Sequence, residues 1–221
     1  MKTNCLIPAR GGSKRIPRKN LNDFCGKPLV VWSIEQALAS TGIDKVYVSS
    51  EDTEILNVAL TYGAEIVLRP DELAQDSSTL EEVIEHFLKE VPTDVLVVLQ
   101  PTSPLRLPGD IENCIQQMAA TLNSACWSVN VEDDLFLWND EIEPYNFERD
   151  WREVSTFYRE NGSIYCFTAE GFKNHQSRYA GAKCISYMQK WQSYEIDEPE
   201  DVRVCEALMK EFILNEKEVV L

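Results

Sequence analysis

The chain has 221 residues, of which 44% are hydrophobic and 26% are charged, a composition typical of a folded globular protein. Thirty-seven acidic residues against 21 basic residues give a formal net charge of −16. A field of that sign repels polyanions, so we expect no general binding to nucleic acid or to an anionic membrane. No apolar run approaches the roughly 20 residues of a membrane span, and the N-terminus lacks the apolar core of a signal peptide. We therefore expect a single cytoplasmic domain over residues 1–221.

Short β-rich runs alternate with helical patterns, which predicts an α/β fold with a Rossmann-like, mostly parallel sheet and helices on both faces. The run at 94–99 is almost wholly apolar, so we place it at the centre of the sheet. The predicted strands lie at 4–7, 45–49, 65–68, 94–99, 125–129, 163–167 and 184–187.

The predicted helices have recognisable ends. Pro28 opens the first, Asp52 caps a second that Gly63 ends, and Ser78 with Glu81 forms a capping box for a third. Two more are expected at about 110–121 and from Pro199 onward.

The segment from 130 to 153 departs from this alternation. It holds nine acids, two arginines and several aromatic residues. Because interfaces favour aromatic side chains, we interpret about 130–160 as an insertion that forms a dimer contact.

The cysteines and histidines give no sign of a catalytic or metal centre. Seven cysteines are scattered without a C-x-x-C pair, which indicates reduced, buried thiols of a cytosolic protein. His86 and His175 lack an acid–base partner pattern, so we expect structural or solvated roles for both.

Positions 10–19 invert the sign of the chain, with five basic residues and no acid. Gly11 and Gly12 would let backbone N–H groups approach a phosphate, and the basic side chains would neutralise it. The loop follows the first strand, and ligands of open α/β sheets bind beyond the carboxyl ends of strands. Neither G-x-x-x-x-G-K-[ST] nor G-x-G-x-x-G is present.

Five segments together resemble the acylneuraminate cytidylyltransferase family, which makes CMP-activated sialic acids and related nine-carbon sugar acids. They are IPARGGSKRIPRKNL with GKPL (7–29), LRPDELA (68–74), QPTSPLR (100–106), YRENGSIY (158–165) and EIDEPED (195–201). They follow the family's order along essentially the whole chain. The resemblance implies a nucleotidyltransferase fold and transfer of a cytidylyl group from CTP to the anomeric hydroxyl of a sugar acid, with release of pyrophosphate.

The resemblance also implies a nucleotide site, in which Arg10 and Lys19 lie nearest the reacting α-phosphate and act in catalysis. Asn20 would reach the ribose side, and Arg69 the base; Ser78 is equally well explained as a helix cap. The implied nucleotide-binding residues are Arg10, Gly11, Gly12, Ser13, Lys14, Lys19, Asn20, Arg69, Ser77 and Ser78.

For the sugar acid, the resemblance implies donors from two segments of the chain. These residues are Gln100, Thr102, Ser103, Arg106, Tyr158, Arg159 and Asn161.

A magnesium ion and a second subunit complete the implied site. Asp197 would bind Mg²⁺, assisted by Glu195, because this ion prefers one or two carboxylates together with substrate phosphates. The family usually carries aspartate at both positions, so the longer Glu195 would act through water. The resemblance further implies a homodimer.

Three alternatives remain open from the sequence. The nucleotide could be GTP, or the sugar could be legionaminic, pseudaminic or a related keto-sugar acid. A non-catalytic nucleotide-sugar sensor on the same scaffold is the third. The last would be expected to lose the bases at 10–19 or the acidic pair near 197, and both are present.

Overall fold

The computed structural model describes residues 1–121, 124–132, 157–179 and 183–215. Within these ranges the chain forms nine strands: β1 Thr3–Pro8, β2 Asp23–Phe24, β3 Lys27–Pro28, β4 Lys45–Ser50, β5 Glu65–Leu68, β6 Val95–Leu99, β7 Ala125–Glu132, β8 Phe157–Thr168 and β9 Lys183–Tyr187. Its helices are α1 Leu29–Ala39, α2 Thr53–Thr61, α3 Leu80–Glu90, α4 Asp110–Ala120, α5 Ala169–His175 and α6 Pro199–Met209, which continues into a π-helical turn, Lys210–Leu214.

Seven strands form one sheet in the order β5-β4-β1-β6-β8-β7-β9, and β2 pairs with β3 in a separate small hairpin. The four strands β5, β4, β1 and β6 pair in that order and are all parallel, and β7 and β9 are also parallel. Strand β8 runs antiparallel to both β6 and β7. The mostly parallel α/β sheet is therefore confirmed, and β6 is its fully buried central strand, as predicted.

Side chains of alternate residues along β1 and β6 enter two different cores, as the period of a strand requires. Cys5 and Ile7 pack beneath α1, α2 and α4, whereas Leu6 packs on the opposite face against α3 and α5. Burial on both faces explains why these two strands are apolar runs rather than alternating patterns.

A third core joins the C-terminal helix to the region of the basic loop. Ile16 of the loop packs with Ile196, Cys205 and Met209, so α6 lies against the β2–β3 hairpin and the start of α1. The backbone N–H of Ile196 also donates to the carbonyl of Thr102 at 2.8 Å. These contacts bring three segments to one edge of the sheet: the acidic segment 195–201 (the acidic tail), the basic segment 10–19 (the basic loop) and the turn after β6.

The second predicted helix is confirmed at both ends. The Asp52 side chain accepts hydrogen bonds from the backbone N–H groups of Glu54 and Ile55, and Gly63 follows the helix with a positive φ of 86°.

The capping box predicted for Ser78 and Glu81 is wrong by one residue. Thr79 and Glu82 form it, and α3 begins at Leu80. The Ser78 hydroxyl is used elsewhere, since it accepts from the backbone N–H of Gln75 at 3.2 Å and donates to the carbonyl of Glu72 at 3.0 Å.

Most of the proposed dimer segment, 133–156, lies outside the described residues. It joins the ends of β7 and β8, which pair with each other on either side of it. All seven cysteines are free thiols, five of them buried. In the described parts of the chain, no helix is both long and apolar enough to cross a membrane.

Candidate functional site

A cleft of about 470 Å³ opens at the carboxyl ends of β1, β5 and β6. Such an edge is where open α/β sheets bind their ligands. Of the five segments that resemble the family, all but the one on β8 contribute residues to its lining. The lining residues that were predicted as site residues are Arg10, Ser13, Lys14, Lys19, Asn20, Arg69, Ser78, Gln100, Thr102 and Asp197.

The basic loop is closed on itself by Asn20, whose side-chain amide donates to the carbonyl of Arg10 at 2.9 Å. Gly11 lies so close to α2 that a Cβ atom there would be 2.6 Å from an oxygen of Asp52. Its backbone N–H donates to Glu51 at 2.7 Å, so this group is already bound and does not offer itself to a phosphate as expected. Gly12, in contrast, has open space around it.

Each predicted phosphate-binding cation meets an acid in the cleft. Arg10 Nη1 lies 3.0 Å from Asp76 Oδ1, and Lys14 contacts the other oxygen of the same carboxylate. Lys19 donates from Nζ to the carbonyl of Ile196 at 2.7 Å and to Asp197 Oδ1 at 3.1 Å. Two carboxylates of the cleft, those of Asp76 and Asp197, therefore hold these cations together.

Arg69 directly follows β5, and its buried side chain lies against the end of β4. Its guanidinium donates to the Ser49 hydroxyl at 3.2 Å and the Ser49 carbonyl at 2.7 Å. Burial lowers the pKa of Arg69 to about 10, against the opposing effect of Glu51, so the side chain stays charged at neutral pH. Ser78 lines the cleft beside it, whereas Ser77 is exposed and is not part of the lining.

The turn after β6 contributes Gln100 and Thr102 to the cleft. Gln100 donates from Nε2 to the carbonyl of Gly162 at 3.1 Å and to the Tyr165 hydroxyl at 3.4 Å. Ser103 is fully buried and donates to Glu195 at 3.4 Å. The turn is thus fixed against β8 and against the acidic tail.

Arg106 does not reach the cleft, which corrects its predicted role as a sugar ligand. Only 1% of it is exposed, and its guanidinium donates to the carbonyls of Gln100 and Ser163, both at 2.8 Å. It also donates to Ser33 and Gln36 at 3.1 and 3.0 Å. Arg106 therefore clamps the turn after β6 between α1 and β8.

The predicted sugar ligands on β8 are also not part of the cleft lining. Asn161 is 2% exposed and its Oδ1 accepts from the Ser128 hydroxyl at 2.6 Å, which gives it a structural position instead. Tyr158 and Arg159 are exposed, and Tyr158 packs edge to face on Tyr187 with ring centroids 5.7 Å apart.

Three acids converge at one end of the site. Burial raises the pKa of Glu195, and the neighbouring charges of Asp197 and Glu160 raise it further. Gly162, with φ of 67°, leaves room for Glu195, since a Cβ atom there would overlap its carboxylate. Asp197 is placed by its backbone N–H, which donates to Asp201 at 2.9 Å ahead of α6.

These carboxylates fit a magnesium ion only as a partial ligand set. Within the described ranges, no group of three or more acidic, cysteine or histidine residues has the geometry of a metal site. Hard carboxylate oxygens are nonetheless the ligands that Mg²⁺ uses when substrate phosphates and waters supply the rest.

Two acids of the site were not predicted from the sequence. Glu160 accepts from the Tyr165 hydroxyl and from the backbone N–H of Gly162, at 2.8 Å for the latter. Asp76 binds the cations of the loop. Their positions in the sequence could have indicated both residues. Asp76 follows β5 at the same edge of the sheet, and Glu160 lies within the YRENGSIY segment.

The sheet order and the basic cleft at its carboxyl edge define an α/β protein of the nucleotidyltransferase type. Residues 4–136 match the model of a protein family described as Cytidylyltransferase. The chain belongs to this family and is a nucleotidyltransferase, which confirms the resemblance drawn from its motifs.

Two curated relatives align with this chain over nearly their whole length. Pseudaminic acid cytidylyltransferase of Campylobacter jejuni is 32% identical over 95% of this chain and 97% of its own. CMP-N,N'-diacetyllegionaminic acid synthase of Legionella pneumophila is 32% identical over 100% of both chains.

A solved structure of CMP:2-keto-3-deoxy-manno-octonic acid synthetase complexed with CTP superposes on this chain with a TM-score of 0.76. The alignment covers 96% of this chain and 99% of that one at 20% identity, so it supports the fold alone.

Proposed function

We propose that this protein transfers a cytidylyl group from CTP to the anomeric hydroxyl of a nonulosonic acid, giving the CMP-sugar and pyrophosphate. The observation that carries the proposal is the convergence of Arg10, Lys14, Lys19 and Asp197 in one cleft of about 470 Å³. The names of the two full-length relatives support a nine-carbon sugar acid as the acceptor.

The chemistry suits this arrangement because negative charge grows on the phosphoryl oxygens and on the departing pyrophosphate. Phosphoryl transfer is catalysed mainly by positioning and by electrostatic stabilisation of that charge. In our proposal Arg10 and Lys14 bind the polyphosphate, and Lys19 stabilises the charge that develops at the α-phosphate. Lys19 suits this task because its side chain is only 14% exposed and is oriented by Ile196 and Asp197.

Asp197 would hold Mg²⁺ directly, and Glu195 would assist through a water molecule. Bound there, the ion would neutralise phosphate charge and orient the oxygens for attack. Of the residues predicted to bind the sugar acid, Gln100 and Thr102 line the cleft, and we assign them to that substrate. The roles given to Arg106 and Asn161 are structural.

We further propose a cytoplasmic two-fold homodimer. Free thiols at all seven cysteines suit a reducing compartment. Tyr158 and Tyr187 remain 52% and 58% exposed on β8 and β9, close to the ends of the 133–156 connection. An exposed aromatic pair of this kind is typical of an interface core.

A pyrophosphate-release screen tests the function. CTP, GTP, ATP and UTP are each combined with pseudaminic acid, legionaminic acid, N-acetylneuraminic acid and Kdo in the presence of Mg²⁺. We expect release with CTP and at least one nine-carbon acid. Pyrophosphate release with GTP alone would show that GTP, not CTP, is the nucleotide substrate. No release from any pair would favour the non-catalytic sensor.

A further inference from the structure

Asp76 occupies a place in the cleft that a phosphate group would suit. Its two carboxylate oxygens contact different cations, Oδ1 with Arg10 at 3.0 Å and Oδ2 with Lys14. Both cations lower the pKa of Asp76, Lys14 more than Arg10, so the carboxylate is ionised at neutral pH. All three residues line the same cleft as Lys19.

The loop that carries Asp76 is held by other contacts. Gln75 donates from its side-chain amide to the carbonyl of Asp71 at 2.8 Å, and from its backbone N–H to the Ser78 hydroxyl at 3.2 Å. The Ser78 hydroxyl in turn donates to the carbonyl of Glu72. Asp76 can therefore release its two cations without loss of the loop's own hydrogen bonds.

We infer that Asp76 is a built-in counter-anion that competes with the substrate's polyphosphate for Arg10 and Lys14 and takes them back when pyrophosphate leaves. The inference rests on the proposed function, because it requires a nucleoside triphosphate as substrate. It adds a residue that controls the affinity of the site for polyphosphate, and no bond is made or broken at Asp76.

The energetics suit a reversible exchange. The side chains of Arg10, Lys14 and Asp76 are 36%, 81% and 45% exposed, and ion pairs at such exposure are weak. A polyphosphate with several charges and many acceptor oxygens displaces one carboxylate readily. The displaced carboxylate remains close by, and its repulsion of the anion weakens the hold on the product pyrophosphate.

Calorimetric titration with inorganic pyrophosphate tests the inference on wild-type protein and four variants. Asp76→Asn removes the competing charge, and Asp76→Glu restores it. Asp71→Asn is the matched control, because it removes the same charge from an exposed position outside the cleft lining on the same loop. Thermal unfolding confirms that each variant is folded, and Asp76→Ser provides a second neutral variant.

Asp76→Asn and Asp76→Ser are expected to bind pyrophosphate about three- to tenfold more tightly, as loss of a weak ion pair and of a nearby like charge predicts. Asp76→Glu should resemble wild type, Asp71→Asn should be unchanged, and the difference should shrink at high salt. In turnover, Asp76→Asn should show stronger inhibition by pyrophosphate with an unchanged KM for the sugar acid.

Unchanged binding in Asp76→Asn would overturn the inference. Weaker binding would also overturn it, since Asp76 would then be ordering Arg10 and Lys14 for the phosphate. An equal gain in Asp71→Asn would reduce the effect to net charge. A failure of the proposed function is distinguishable, because the wild-type protein would then release no pyrophosphate from any nucleotide, whatever the titrations give.

Discussion

At the scale of single residues, the site is built from cations that pair with acids of the same cleft. Lys19 is the most enclosed of them, and it lies between the basic loop and the acidic tail. A group in that position is best used on charge that appears during the reaction, because only such contacts raise kcat.

Lys19→Ala is therefore expected to lower kcat far more than it raises the KM for CTP. By comparison with the loss of one oxyanion-hole donor, the barrier should rise by roughly 2–4 kcal/mol. Steady-state pyrophosphate release measures both constants. Arg18→Ala is the control, because Arg18 pairs with Asp52 and Glu54 outside the cleft lining. An unchanged kcat with a raised KM would make Lys19 a ground-state phosphate ligand.

Mutation of Asp197 and mutation of Glu195 are expected to have different effects, because we propose that Asp197 binds the metal directly and Glu195 binds it through water. Asp197→Asn should lose nearly all activity while remaining folded, whereas Glu195→Asp should stay active because a carboxylate is kept. A magnesium titration of pyrophosphate release compares them with Glu200→Gln, an exposed carboxylate in the first turn of α6. A wild-type magnesium dependence in Asp197→Asn would show that the metal is held elsewhere.

At the scale of elements, Arg106 was predicted to bind the sugar acid, but in the structure it joins α1, the turn after β6 and β8. Arg106→Ala leaves the buried carbonyls of Gln100 and Ser163 without their donor, so we expect it to lower the free energy of unfolding by about 3 kcal/mol. Urea denaturation measures this, and Arg159→Ala, at an exposed position on β8, should change little. If Arg106→Ala kept wild-type stability but raised the KM for the sugar acid, its sequence-based assignment would be right after all.

The same scale explains which predictions from the sequence failed. Local signals located β5 and the ends of α2 correctly, because Asp52 and Gly63 act through their own backbone neighbours. Ser78 and Thr79 each stand three residues before a glutamate, so local spacing cannot choose between them. The choice comes from the bonds of Ser78 to Gln75 and Glu72, which depend on the turn before it.

The burial of Arg106 and Asn161 could not be predicted from local sequence patterns for a related reason. Arg106 and Asn161 carry polar groups that suit a sugar, yet both are bonded inside the protein. Asn161 is held by Ser128 of β7, and Arg106 by Ser163 of β8 and by Ser33 of α1, so both placements depend on how elements distant in sequence pack together.

At the scale of the whole molecule, the connection between β7 and β8 is expected to carry the dimer contact. Sedimentation velocity at micromolar concentration should give twice the mass of one chain. Tyr158→Ser with Tyr187→Ser should shift the equilibrium towards the monomer, since it removes an exposed aromatic pair. A strictly monomeric wild-type protein with full activity would contradict the assembly.

The central claim is that this cleft joins the α-phosphate of CTP to a nine-carbon sugar acid. Phosphorus NMR of one reaction with CTP, Mg²⁺ and the acid that is active in the release screen tests it most directly. We predict that the CTP signals are replaced in equal amounts by one phosphodiester signal, that of the CMP-sugar, and by pyrophosphate. Formation of CDP with orthophosphate, or pyrophosphate with free CMP and no phosphodiester, would contradict the account.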